Sequence, residues 1–164
     1  MKLFRTTFRS SSLKASALLG FIAAAPVAVA QNQLFPLYVF PGLFDNGGAG
    51  QMGVASVFHC SNFSAAPQTV QVVVFNYNAT PVANMSALIG STSTFTFATK
   101  DTALYSEDLI LNTGAVYQGV GGILGSSPSI VCTAQVLDAS TAIHGPTGIN
   151  LHGMRFNPQP GTME

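Results

Sequence analysis

Two neighbouring stretches decide the fold, VASVFHC at residues 54–60 and TVQVVVFNY at residues 69–77. In the first, one set of alternate residues is largely apolar, and the second carries apolar side chains at both odd and even positions. Successive side chains of a β-strand point to opposite faces, so the first pattern indicates a half-buried strand and the second a central strand. After the first thirty residues, no window shows a sustained 3.6-residue period. The sequence therefore predicts an all-β fold.

Other segments extend this pattern along the chain. Clear alternation occurs in residues 92–98, 129–137 and 149–156, and weaker strand candidates are residues 34–40, 104–109 and 115–124. The last clear segment needs a bulge at Gly153 to keep its apolar residues on one side. Glycine, proline, asparagine and aspartate cluster between the segments, as they do in turns. Seven or eight short strands predict a two-sheet antiparallel sandwich.

The first thirty residues have the three parts of a secretory signal peptide. Basic residues come first, an apolar run follows at residues 15–25, and Ala28-Val29-Ala30 forms a small-residue cleavage site. The apolar run is shorter than the roughly 20 residues that a membrane-spanning helix needs. We therefore expect cleavage after Ala30 and export to the periplasm, the cell surface or the medium. Cleavage leaves no transmembrane anchor and a single β-sandwich domain at residues 31–164.

Cys60 and Cys132 are the two cysteines of the chain, and both follow the predicted cleavage site. Each falls on the inward, apolar face of its predicted strand. Disulfides form and persist in the compartments that exported proteins reach. The sequence therefore predicts a Cys60–Cys132 disulfide that acts as a structural staple. Closing a loop of this length would stabilise the fold by about 4 kcal/mol.

The order of elements resembles the immunoglobulin-like sandwich. It has a strand that ends in Cys60, an apolar strand at residues 69–77, and a late strand that carries Cys132. In antibody domains the corresponding disulfide joins the two sheets. The phrases FHCSN at 58–62, VCTA at 131–134 and RFNP at 155–158 also resemble a group of small exported bacterial proteins with no assigned activity. This second resemblance implies export and a β-fold, without a particular function.

Charge excludes one class of partner. Without residues 1–30 the chain keeps two cationic and six anionic side chains, a net charge of −4. Lys100 and Arg155 are too few and too scattered for a basic patch. The attraction to phosphate groups that dominates nucleic-acid affinity is then missing. The sequence therefore indicates no nucleic-acid partner and no polybasic contact with a membrane.

Few residues could carry catalytic or metal chemistry. His59, His144 and His152 match no metal-ligand spacing, and we expect neither a metal nor another cofactor. Glu107 and Asp108 are adjacent, so on a strand they face opposite ways and cannot flank one glycosidic bond. The chain has no G-x-S-x-G motif of a hydrolase. We assign no catalytic residue.

Two weaker alternatives lie in or near turns and in a glycine-rich run. Asp45, Asn46, Glu107 and Asp108 offer oxygen ligands for calcium, but they do not form an EF-hand loop. The run at residues 119–125 lacks the Lys-Ser/Thr pair of a phosphate-binding loop. Glycines in an apolar strand more often mark bulges or close sheet packing, which is the interpretation we favour.

Three functions from different classes are open at this point. The sequence favours a secreted or periplasmic non-enzymatic module of unknown binding role, because acid–base catalysis needs positioned titratable groups and this chain has few. Its candidate ligand surface is Tyr77, Tyr105 and Tyr117. The alternative is a fibre or pilus-like subunit that self-associates when the segment from Gln31 to Phe40 adds a strand to a neighbour's sheet. A hydrolase that uses the histidines is the third.

Overall fold

The computed structural model describes residues 33–140 and 148–156. The regular secondary structure of these residues consists of β-strands, without a helix. The ten strands are β1 (Phe35–Asp45), β2 (Val54–Asn62), β3 (Gln68–Phe75), β4 (Pro81–Ile89), β5 (Thr94–Ala98), β6 (Leu109–Ile110), β7 (Val116–Gly125), β8 (Ile130–Asp138), β9 (Gly148–Leu151) and β10 (Met154–Arg155). Neighbouring strands pair antiparallel, except that β5 and β6 are parallel. The predicted all-β fold is thus confirmed.

The strands form two five-stranded sheets with the core between them. Sheet A has the order β10-β1-β7-β3-β4, and sheet B has the order β6-β5-β2-β8-β9. Sheet A contributes Leu37 and Phe40 to the core, and sheet B contributes Phe58 and Phe97. This arrangement confirms the predicted two-sheet antiparallel sandwich.

The glycine-rich part of β7 lets the two sheets approach closely. A Cβ on Gly121 would lie 2.8 Å from two ring atoms of Phe58 on the opposite sheet, closer than carbon atoms pack. The next residue, Gly122, faces outward, and a Cβ there would meet no atom closer than 3.9 Å. Close sheet packing therefore explains Gly121, in agreement with the interpretation favoured from the sequence.

The segments with the clearest alternation are strands. Residues 54–60, 69–77 and 129–137 fall largely within β2, β3 and β8, and β5 lies within residues 92–98. The weaker candidates at residues 34–40 and 115–124 correspond to β1 and β7. Residues 104–109 do not form the predicted strand, because Leu104 and Tyr105 lie in a loop that packs on the outer face of sheet B. β4 has no counterpart among the predicted strands.

The prediction of one bulged strand at residues 149–156 is wrong. β9 pairs with β8 in sheet B, whereas β10 pairs with β1 in sheet A. The chain passes from one sheet to the other at Gly153, where a Cβ would overlap the ring of Phe40. The position expected to be a bulge is therefore a crossing past the core, and glycine is needed there for space.

Cys60 and Cys132 form the predicted disulfide. They are direct partners in the ladder between β2 and β8, and both side chains are buried in the core. The bond therefore joins two neighbouring strands of sheet B, whereas the disulfide of antibody domains joins the two sheets. The sandwich is confirmed, and the immunoglobulin-like arrangement is not.

The described residues all belong to one compact unit, residues 31–164. The predicted signal peptide, residues 1–30, lies outside the described residues and stays a prediction. Within residues 33–140 and 148–156, no helix has the length and apolar character needed to cross a membrane.

Candidate functional site

One end of the outer face of sheet A carries partly exposed aromatic side chains. Phe75 and Val120 are direct partners in the ladder between β3 and β7. Tyr117 on β7 packs edge-on against Phe44 of β1, with ring centroids 5.5 Å apart. Edge-on contacts of this kind are favourable and fix the relative orientation of the rings. We define Phe44, Phe75, Tyr77, Tyr117 and Val120 as the aromatic patch.

The side chain of Asn76 forms hydrogen bonds with the backbone of both tyrosines of the aromatic patch. Its side-chain Oδ1 accepts hydrogen bonds from the backbone N–H groups of Tyr77 and Tyr117, at 2.9 and 3.0 Å. The bond to Tyr117 connects the turn after β3 with the start of β7. Tyr77 is 68% exposed and Tyr117 is 46% exposed, so both side chains are open to a ligand.

The third predicted tyrosine lies on the other sheet. Tyr105 belongs to the loop between β5 and β6, which covers part of the outer face of sheet B. Its ring meets the ring of His59 edge-on, with centroids 4.6 Å apart, and its hydroxyl accepts a hydrogen bond from Gln135 Nε2. The predicted ligand surface is therefore two separate places. The structure brings Tyr77 and Tyr117 together and leaves Tyr105 apart.

His59 is half-buried, and both of its ring nitrogens face neutral groups. Its Nδ1 lies 3.1 Å from Thr96 Oγ1, and its Nε2 lies 3.4 Å from the amide nitrogen of Gln135. An amide N–H can only donate, so Nε2 is the acceptor and the proton is assigned to Nδ1. Burial lowers the pKa of His59 below its ordinary value of 6.5. In a catalytic triad the second ring nitrogen faces a carboxylate, and here it faces a hydroxyl.

The other candidates from the sequence are dispersed. His152 is exposed in the short link between β9 and β10, and His144 lies outside the described residues. Glu107 accepts hydrogen bonds within its own loop, and Asp108 Oδ2 accepts one from the backbone N–H of Thr96. In the part of the chain that the structure describes, no three His, Cys, Asp or Glu side chains gather as metal ligands.

The end of the sandwich that carries the aromatic patch also contains a buried ion pair. Lys100, just after β5, places its Nζ 2.8 Å from Asp45 Oδ1 at the end of β1. The same Nζ donates to Asn46 Oδ1 at 3.0 Å and to the carbonyl of Met52 at 3.3 Å. An ammonium group has three N–H donors, and each one has an acceptor here. Through these contacts, Lys100 connects the loop between β1 and β2 with the end of sheet B.

A cavity of about 280 Å³ lies beside this ion pair. Its walls include Asp45, Asp101, Asn112 and the glycine-rich residues 47–50. Asp45 Oδ1 is bonded to Lys100 and to the backbone N–H of Gly47, whereas Oδ2 is buried with no hydrogen-bond partner among the described residues. A buried carboxylate oxygen gains most from an additional donor. The polar side chains that the cavity presents without such burial are those of Asp101 and Asn112.

No family model, curated protein or solved structure matches this chain.

The segment predicted to self-associate, from Gln31 to Phe40, largely has its partners within the chain. Residues 35–40 belong to β1 and pair with β7. On its other side β1 pairs with β10 at only two positions. Residues 31 and 32 lie outside the described residues. Strand addition through this segment would therefore require β1 to leave its own sheet.

Two contacts at this end of the sandwich were missed by the sequence analysis. The bond from Asn76 to Tyr117 spans 41 residues, and the pair of Lys100 and Asp45 joins residues from different sheets. Neither contact has a local periodicity that could reveal it. The one available signal was that Lys100 is the single lysine after residue 30.

Proposed function

We propose that this chain is an exported, non-enzymatic β-sandwich module that binds a neutral glycan through the aromatic patch. The observation that carries the proposal is the exposure of two tyrosines at one end of sheet A, Tyr77 in the turn after β3 and Tyr117 on β7. Exposed apolar side chains gathered in one place mark interaction sites more often than scattered ones do. Tyrosine rings offer both an apolar face and a hydroxyl, which suits the C–H faces and hydroxyls of a sugar ring.

The charges of the region favour a neutral ligand. The aromatic patch contains no ionisable side chain other than the tyrosines. Asp45, which follows Phe44 of the patch in the chain, is buried and is compensated by Lys100. A charged ligand would therefore find no counter-ion within the aromatic patch itself. The neighbouring cavity adds polar groups, because Asn112 and the backbone of residues 47–50 line it.

The non-enzymatic part of the proposal is supported by the partners of the titratable groups. His59 faces a hydroxyl and an amide, Lys100 has three acceptors, and Asp108 accepts from a backbone N–H. Each group is engaged in holding a strand or a loop. General acid–base catalysis needs a titratable group that can reach a substrate.

Native gel electrophoresis through soluble polysaccharides tests glycan binding. We expect the mobility of residues 31–164 to fall in at least one neutral glucan, xylan or galactan. Replacing both Tyr77 and Tyr117 with alanine should weaken this retardation about tenfold or more, because each stacked ring contributes roughly 0.5–1.5 kcal/mol in addition to buried area.

Phe63→Ala is the matched control for the tyrosine variant. Phe63 follows β2 at the opposite end of the sandwich and is as exposed as Tyr77. Its removal should leave the retardation unchanged. The proposal fails if no neutral polysaccharide retards the protein, or if the double tyrosine variant is retarded as strongly as the wild type.

A fibre subunit that exchanges β1 between copies is the second candidate. The loop after β1 has backbone φ angles of +80°, +62° and +77° at Gly47, Gly50 and Gly53, which allow several chain directions. An exchanged strand would make the same contacts in a neighbouring copy. The variant Val39→Cys/Gly122→Cys would report the exchange, because the two positions are direct partners in the ladder between β1 and β7. Covalent multimers on a non-reducing gel support it, and a covalently closed monomer contradicts it.

A further inference from the structure

The edges of the two sheets differ greatly in length. Sheet A ends at β10 and β4, and sheet B ends at β6 and β9. β6 and β10 have two residues each and β9 has four, whereas β4 has nine. Short edge strands leave few unpaired N–H and C=O groups, which limits edge-to-edge association. Within the described residues, β4 is the longest edge strand, and no strand pairs with its outer side.

β4 also lacks the other features that protect an edge strand. Its sequence, PVANMSALI, has no charged residue, and its one proline is the first residue. Its pairing with β3 is regular, with a single shift at the end of the ladder. Met85 is 36% exposed and Leu88 is 64% exposed. A long, uncharged and regular edge strand with exposed apolar side chains is a site where another strand pairs.

The sequence of β4 is nearly symmetric about Met85. Residues 84 and 86 are both polar, residues 83 and 87 are both alanine, and residues 82 and 88 are both aliphatic. When two copies pair antiparallel about Met85, each residue faces its counterpart, so that like faces like along the strand. We propose that β4 pairs with β4 of a second copy of this chain, in an antiparallel dimer centred on Met85.

This dimer would extend sheet A into one sheet of twice as many strands. A nine-residue antiparallel pair forms about eight new backbone hydrogen bonds. Met85 is the ladder partner of the buried Val72, so its side chain points to the core side of the sheet. The two Met85 side chains would then cover each other. Because β4 carries no charge, two acidic chains can meet there without opposing like charges.

The symmetry of the dimer has a consequence for binding. The two-fold axis of an antiparallel edge pair is perpendicular to the sheet, so the outer faces of both copies look in the same direction. The two aromatic patches would therefore lie on one surface and could bind one extended ligand twice. Two linked sites raise the overall affinity through effective concentration. The dimer itself does not depend on the proposed glycan binding.

Sedimentation equilibrium of residues 31–164 over a concentration series tests the dimer and its register. Asn84 of one copy faces Ser86 of the other. In the variant Asn84→Lys/Ser86→Lys every lysine would face a lysine, and the dimer Kd should rise about tenfold or more. In the variant Asn84→Lys/Ser86→Glu every lysine would face a glutamate, and the Kd should return to the wild-type value or below.

Controls separate this interface from general damage. Thr133→Lys adds a positive charge at an exposed position on sheet B, away from β4, and should leave the Kd unchanged. Circular dichroism melts check that the variants fold. A wild-type chain that stays monomeric at all concentrations overturns the proposal. Equal weakening by both double variants overturns the register, and oligomers that grow beyond a dimer point instead to exchange of β1.

Discussion

Replacing Lys100 with methionine should destabilise the domain severely. Methionine keeps most of the length of the lysine side chain but removes its ammonium group. The carboxylate of Asp45, which is 1% exposed, would then be buried without a cation. Of the groups that now contact this carboxylate, only the backbone N–H of Gly47 would still donate a hydrogen bond to it. Removing one partner of a buried ion pair costs about 3–5 kcal/mol, because the other charge is left uncompensated. Total stabilities of about 5–15 kcal/mol are typical, so this loss is a large fraction.

Thermal and urea unfolding, followed by circular dichroism, measure the effect. In a domain of this size each kcal/mol lowers Tm by roughly 3–5 °C, so we expect a decrease of roughly 10–20 °C. The double variant Asp45→Asn/Lys100→Met removes both charges and should recover most of the loss. Together with the single variant Asp45→Asn, these measurements complete a double-mutant cycle that gives the coupling energy of the pair.

Arg155→Met is the matched control, because it removes the other cation that follows residue 30. Arg155 lies over the ring of Tyr38 and donates to the carbonyl of Pro128 at an exposed position. Its removal should cost about 1 kcal/mol or less. The reasoning is refuted if Lys100→Met is as stable as Arg155→Met, or if the double variant is no more stable than Lys100→Met.

Two other predictions concern packing and pH. Gly121→Ala should cost about 1–3 kcal/mol in urea unfolding because its Cβ would meet the ring of Phe58, whereas Gly122→Ala should be neutral or slightly stabilising. Because burial lowers the pKa of His59, the unfolded chain binds more protons than the folded chain below about pH 6.5. Stability should therefore fall as the pH drops through this window, and His59→Gln should flatten that dependence.

These two predictions have clear contrary outcomes. Equal effects of the two alanine substitutions would show that β7 does not approach Phe58 as closely as described. For His59, a wild-type stability that increases as the pH drops below its ordinary pKa would reverse the predicted sign. An unchanged slope in the glutamine variant would assign the pH dependence to another group.

Alternation could predict the strands that lie inside the sheets. β2 and β8 are neighbours within sheet B, and β3 lies between β4 and β7 in sheet A. Each of these strands turns one face to the core, which requires apolar residues at every second position. Tertiary structure and local pattern therefore agree there.

The same rule explains why β4 was missed. An edge strand covers the core only at its margin, so alanine, asparagine and serine are tolerated where an inner strand needs larger apolar residues. These residue types also have low strand propensity. β6 and β10 have two residues each, which is too short for an alternating pattern to be recognised. They are strands because they pair with residues distant in the sequence. It also cannot show that the chain changes sheet at Gly153.

The candidate site could be predicted only in part. Exposed tyrosines can be guessed from composition, but the sequence does not show which of them meet. Tyr77 and Tyr117 are brought together by one asparagine side chain, and Tyr105 is kept apart because its loop folds over sheet B. Contacts that close over forty or more residues depend on the whole topology, which the local pattern does not contain.

The scarcity of charge connects the two proposals. In the described residues Lys100 is buried against Asp45, so the ionic groups at this end of the sandwich neutralise each other inside the protein. The nearby surface is left with tyrosine rings, and the far edge of sheet A is left with unpaired backbone groups. Charged patches steer partners and repel wrong ones, and neither effect is available to a surface of this kind. Under both proposals, recognition comes from ring faces and backbone hydrogen bonds, which the aromatic patch and β4 provide.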